Sequence, residues 1–152
     1  MEKERVAASH RDRVRASLLA AGMHPAYVAR GSRIDLVAYH VSTKGMFVAC
    51  PVTVRAPEAS TLTLYFGARI KNMIYAFVVG PERIVYAAND VELRHVCLAM
   101  DRPALTRARR ITLPWNDKLR GLLEPYRVTR ASWARFFERE VGRRRPQLEL
   151  FR

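Results

Sequence analysis

The chain is poor in cysteine, poor in lysine and without a long apolar run. Its two cysteines, Cys50 and Cys97, stand far apart in apolar settings. That arrangement argues against a disulfide or a cysteine metal pair and reads as two buried thiols in a reducing compartment. The longest apolar runs, such as MIYAFVVG, are too short to cross a bilayer. The opening residues MEKERVAASHRDRVR are charged where a secretory signal needs an apolar segment. A cytoplasmic protein with no membrane association is expected. The patterns GxxxxGK[ST], paired CxxC, HxxxH, HExxH and GxSxG are missing, and His10, His24, His40 and His95 are scattered. Metal hydrolysis by a histidine cluster is therefore not expected.

What is present in excess is positive charge. The net charge is +13, and only four of the 27 basic residues are lysines. Residues 1–30 carry six basic and three acidic side chains, residues 31–101 seven and six, and residues 102–152 fourteen and five. A codon bias toward arginine accounts for arginine over lysine but not for the imbalance over acids. An excess at both ends of the chain favours a polyanionic partner, because each phosphate neutralised releases condensed counterions. With 49% hydrophobic residues the 152-residue chain can bury one ordinary core. One domain over residues 1–152 is expected.

Periodicity gives an order of elements. Residues 2–21 place Val6, Val14, Leu18 and Ala21 at helical spacing, with Gly22 positioned to end the helix. Lys3, Arg11 and Arg15 lie on its other side, as a solvated face or a phosphate-contacting one. After a connection containing Pro25, RIDLVAYH reads as a strand, VSTKG as a turn, and MFVACPVTVRA as an antiparallel partner that bends, bulges or has an open side at Pro51. TLTLYF, MIYAFVVG and RIVYAA complete five strands, the second of these three being covered on both faces. DVELRHVCLAM and PWNDKLRGLLEPY are expected to be helices. TRASWARFFEREVGRRR is the strongest helix, capped at Thr129 and closed at Gly142, with Trp133, Phe136, Phe137 and Val141 as a core stripe. Arg143, Arg144 and Arg145 follow it and extend a basic surface.

Within CPVTVRA, Thr53 and Arg55 are two residues apart and share one face of an extended strand. A glutamate-bearing helix, GSRIDLVAYH, a hairpin partner ending VTVRA, an aromatic strand and MIYAFVVGPERIVYAA together resemble the PD-(D/E)XK nuclease superfamily. The closest likeness is to its small members related to Holliday-junction resolvases and intron-encoded endonucleases. The resemblance covers residues 1–100 and implies an α/β, restriction-endonuclease-like core: an N-terminal helix, then a mixed five-stranded sheet, then C-terminal helices. Residues 101–152 would be a basic helical extension. The resemblance also implies a DNA partner, homodimerisation and magnesium held by acids.

Carried over by motif, Glu4 takes the position of the helix glutamate and Asp35 that of the strand aspartate and metal ligand. Thr53 and Arg55 stand where Glu-x-Lys or Gln-x-Lys belongs. Threonine offers a neutral oxygen in place of a carboxylate, and arginine stabilises a phosphoryl oxygen but cannot act as a base. The expectation is a nucleic-acid-binding protein, of DNA before RNA, on a nuclease-like scaffold whose metal motif is degenerate. It needs no cofactor unless it cuts, in which case it needs magnesium. Arg11, Arg15, Arg33, Arg55 and Arg143 to Arg145 are the expected phosphate contacts. Two alternatives stay open: an active endonuclease using Glu58 or Asp90 as a migrated acid, and an interaction or RNA-assembly subunit displaying Trp115 and Tyr126.

Overall fold

Residues 2–28, 34–41, 45, 47–66, 72–100, 110–129 and 132–138 are described by the computed structural model of the chain, with the side chains of Lys3 and Glu4 outside that set. Arg33, Val141, Gly142 and Arg143 to Arg145 lie outside the described residues. The protein is α/β: an N-terminal helix is followed by a mixed five-stranded sheet and then by C-terminal helices.

Helix α1 (Glu2–Ala20) forms because Val14 and Leu18, four residues apart, stack on one face and are fully buried. Val6, expected in the same stripe, is 49% exposed, since the helix overhangs the core at its start. Its end is a Schellman motif: Met23 N–H donates to the Leu18 carbonyl at 3.0 Å and Gly22 N–H to the Leu19 carbonyl at 3.0 Å. Gly22 sits at φ 82°, a left-handed conformation that costs glycine little.

The strands are β1 (His24–Tyr27), β2 (Leu36–Val41), β3 (Phe47–Arg55), β4 (Thr61–Tyr65), β5 (Ile74–Val79), β6 (Ile84–Asn89) and β7 (Arg110–Pro114), with α2 (Asp90–Ala99) and α3 (Asp117–Leu123) before and after β7. The five-stranded sheet runs β1-β2-β3-β5-β6. Its β3–β5 pair is parallel and the other pairs are antiparallel. Pairing of β3 with β5 begins at Val52, so the missing Pro51 donor falls on an open side of the strand.

Membership of the sheet differs from the sequence expectation. The HPAY segment, read as a connection because of Pro25, is the edge strand β1, a position where proline is tolerated. The TLTLYF segment leaves the sheet and pairs with RITLP in a separate two-stranded ladder, β4–β7. Both of these strands alternate, and pairing them turns Leu62, Leu64, Ile111 and Leu113 toward one core while Thr63 and Thr112 face out. Strand β7 also lies within the stretch expected to be helical.

Alternation along the sheet separates two hydrophobic clusters. One face, with Val48, Cys50, Val52, Val54, Ile74 and Ala76, packs on α1 and on Trp133, Phe136 and Phe137. Those aromatics are core, as the helical stripe predicts; residues 134–138 are helical. The opposite face over β5 and β6, with Tyr75, Phe77 and Ala88, is covered by α2, α3 and the β4–β7 ladder. Cys50 and Cys97 are buried in different clusters. The cover does not reach the hairpin end of β2 and β3, where Val41, Phe47 and Ala49 are exposed on that second face. There His24 stacks on Tyr39 at 5.1 Å and Tyr39 lies 5.4 Å from Phe47, making an aromatic row across three strands. Among the described residues no helix is long and apolar enough to cross a membrane.

Candidate functional site

The β2–β3 register, with Leu36 opposite Val52, continues outward to set Asp35 across from Thr53. Asp35 N–H donates to the Val52 carbonyl at 2.9 Å. In return, Val54 N–H donates to Asp35 Oδ2 at 2.7 Å, and the Thr53 hydroxyl approaches the same oxygen at 3.4 Å. The two strands are neighbours, and Asp35, Thr53 and Arg55 lie on one face, as the alternation requires. Thr53 is only 4% exposed. The Asp35 carboxylate braces the ladder where β2 begins.

Arg55 follows at the end of β3 and reaches the β4–β7 ladder. Its guanidinium lies 5.3 Å from the centre of the Tyr65 ring, and Nη1 donates to the Val54 carbonyl at 3.4 Å. Tyr65 is the register partner of Arg110, whose guanidinium lies 6.0 Å from the same ring. Two cations thus share one aromatic ring, a geometry favoured by the ring quadrupole. Beneath it, the Tyr75 hydroxyl donates to the Tyr65 carbonyl at 3.4 Å. Burial, reinforced by Asp90, pushes the Tyr75 phenol up to about 12, so it remains a donor at neutral pH.

These groups open onto a groove of about 530 Å³ lined by Arg55, Glu58, Thr61, Thr63, Tyr65 and Arg110. Thr61, Thr63 and Tyr65 alternate along β4, so one strand contributes two hydroxyls and a ring to the same wall. Glu58 is fixed at the far end by a tight turn. Glu58 N–H donates to the Thr61 carbonyl at 2.9 Å and Thr61 N–H to the Glu58 carbonyl at 3.0 Å, with Ala59 between them at φ 52°. Trp115 N–H donates to the Ser60 carbonyl at 2.7 Å and ties the turn to the end of β7.

Among the described residues, those around Asp35 do not make a magnesium site. Magnesium needs several oxygen ligands in octahedral geometry. Here one carboxylate oxygen is already committed to the Val54 amide and approached by the Thr53 hydroxyl, and the next residue on that face is a cation. Among the described residues no three His, Cys, Asp or Glu side chains converge. Asp90, weighed as a migrated acid, pairs with Arg94 at 2.8 Å in the first turn of α2. Glu58, the other, lines the groove. Glu4 lies within α1 and its side chain is outside the described set.

The remaining expected phosphate contacts are not gathered at this groove. Arg15 packs over the Tyr27 ring at 5.5 Å, and Tyr27 donates to Asp12, on the face of the sheet that carries α1. Arg11 belongs to the same helix. Both therefore sit across the sheet from Arg55, because Tyr27 is in register with the inward-facing Leu36. Trp115 and Tyr126 are half-buried against the second cluster, with Arg120 over one ring at 5.5 Å and Arg135 over the other at 5.9 Å.

Tyr65 and Arg110 were not legible as site residues. The alternation of TLTLYF marks Tyr65 as facing away from the leucines, but its pairing with Arg110 joins segments 45 residues apart in sequence. No protein-family model matches the chain, and neither a curated protein nor a solved structure matches it.

Proposed function

We propose that the chain binds nucleic acid, DNA in the first instance, through the Arg55–Tyr65–Arg110 groove, and that it does not hydrolyse it by metal chemistry at Asp35. The observation that carries this reading is the pair of guanidinium groups held against one exposed ring at the head of a hydroxyl-lined groove. Guanidinium forks suit phosphate oxygens, and threonine hydroxyls are common phosphate donors. A net charge of +13 supplies the long-range attraction. The His24–Tyr39–Phe47 row, on the same sheet face as Thr53 and Arg55, adds aromatic surface on which bases can stack. On this reading the scaffold keeps the strand arrangement that resembles a nuclease, while Asp35 serves the ladder. The protein works in the cytoplasm with its thiols reduced, and the homodimer implied by the resemblance is tested by light scattering.

The experiment is equilibrium binding of the whole chain to duplex and branched DNA across a salt series. Several phosphate contacts demand a steep fall of affinity with salt. A weak, flat response removes the proposal. Nicking of DNA in magnesium or manganese that Asp35→Ala abolishes would instead establish an endonuclease.

Phe47, 56% exposed and continuous with Tyr39, favours a second reading in which this sheet face meets a protein partner. Phe47→Ala separates the two: it leaves the affinity for single-stranded DNA unchanged if the face serves a protein and lowers it if bases stack there.

A further inference from the structure

The groove carries opposite charges at its two ends. Arg55 and Arg110 flank Tyr65 at one end of β4, and Glu58 stands beside Thr61 at the other. Four strand residues at ~3.3 Å each separate Thr61 from Tyr65 by roughly 13 Å. A groove built only for phosphate gains nothing from a carboxylate, which repels it. The main chain of Glu58 is nonetheless fixed at the groove by the reciprocal backbone hydrogen bonds with Thr61 and by the left-handed Ala59. Glu58 is exposed and lines the groove, and its side chain makes no hydrogen bond or ion pair to the described residues, which leaves its carboxylate an acceptor with spare capacity there.

We infer that Glu58 selects the base of the nucleotide whose phosphate the two arginines hold, favouring unpaired guanine over thymine or uracil. The inference rests on the nucleic-acid reading above and deepens it. A carboxylate accepts hydrogen bonds only. Guanine presents N1–H and N2–H₂ side by side on its pairing edge, matching two carboxylate oxygens. Thymine and uracil present two carbonyl oxygens around a single N–H, which the carboxylate repels. The pairing edge is free only in unpaired nucleotides, so the groove takes a single-stranded or extruded residue. Its volume of about 530 Å³ lies within the ~300–1,000 Å³ typical of small-ligand sites. Tyr65, placed between the phosphate end and the threonines, offers its edge and exposed surface to the sugar and base.

The test is binding of the whole chain to two eleven-residue DNA strands at fixed salt, one of thymidines alone and one with a central guanine. Wild type should prefer the guanine strand by about tenfold or more, the size of a good bidentate base contact. Glu58→Gln, isosteric and at an exposed position, should bring the ratio to within about twofold, chiefly by improving binding of the all-thymidine strand. Arg110→Gln should weaken both strands alike and preserve the ratio. An unchanged guanine preference in Glu58→Gln, with steep salt dependence retained, overturns the role of Glu58 and leaves nucleic-acid binding standing. Salt-independent or undetectable binding of both strands by wild type overturns the two together.

Discussion

The Val54 amide donates to the Asp35 carboxylate at 2.7 Å, across the point where β2 and β3 begin to pair. This bond gives the aspartate a structural duty that the sequence alone does not show. Removing it leaves the Val54 N–H without its acceptor next to the buried Thr53. Asp35→Ala should therefore cost about 1–3 kcal/mol, the penalty of an unsatisfied buried donor, while Asp35→Asn keeps a carbonyl oxygen and loses less. Urea unfolding of the three proteins checks this ordering. Equal stability of Asp35→Ala and wild type would show that the bond does not brace the ladder.

On the proposed reading Arg55 and Arg110 hold phosphate. Replacing either with glutamine should lower the slope of log affinity against log salt by about 0.9 for duplex DNA and about 0.7 for single strands. The double variant should lose both increments. Arg15→Gln, on the opposite side of the sheet beside Tyr27, should leave binding at this groove unchanged. A salt titration by fluorescence anisotropy measures all four.

Alkaline pH should destabilise the fold in a defined window. Burial raises the Cys97 thiol from 9.0 to about 11, and burial followed by Asp90 raises the Tyr75 phenol from 10.0 to about 12. Each folded-state value lies above the unfolded one, so the folded protein holds these protons more firmly. Their contribution is complete below pH 9 and is lost as pH rises, between about 9 and 11 for Cys97 and between about 10 and 12 for Tyr75. Denaturant midpoints measured from pH 8 upward should fall through this range. Tyr75→Phe, which cannot ionise, should flatten the upper part of the decline.

The indole of Trp133 is fully buried, and Nε1 donates to Ser17 Oγ at 2.9 Å, joining the C-terminal aromatics to α1. Trp133→Ala should cost about 3–5 kcal/mol through lost burial and the cavity left behind. Ser17→Ala strands the indole N–H alone and should cost about 1–3 kcal/mol. A double-mutant cycle with Trp133→Phe isolates the hydrogen bond, and a coupling energy near zero would show that packing alone holds the two segments.

Local chemistry made much of the framework legible. Leu18 and Gly22 marked the end of α1, since a leucine at the last buried turn and a glycine able to adopt positive φ are what the closing motif needs. The stripe of Trp133, Phe136 and Phe137 marked core residues, and all three are buried, but Trp133 sits in a turn and the helix runs over 134–138 rather than from a cap at Thr129. The two-residue spacing of Thr53 and Arg55 placed them on one face, and Asp35 proved to be their neighbour. Pro25 misled because a proline punctuates most connections, whereas here an edge strand accommodates it.

What the amino-acid sequence determined by itself was the set of apolar faces, the end of α1, the positive charge and the shared face of Thr53 and Arg55, all set by residue identity and by spacings of a few residues. Only the tertiary structure decided that TLTLYF would leave the main sheet for RITLP, that Tyr65 would meet Arg55 and Arg110, and that Arg11 and Arg15 would lie on the far side. Alternation specifies which side of a strand seeks the core but is silent on which strand lies beside it. That choice is made by burying the leucine and isoleucine faces of distant segments together, and the groove is formed by what those segments turn outward.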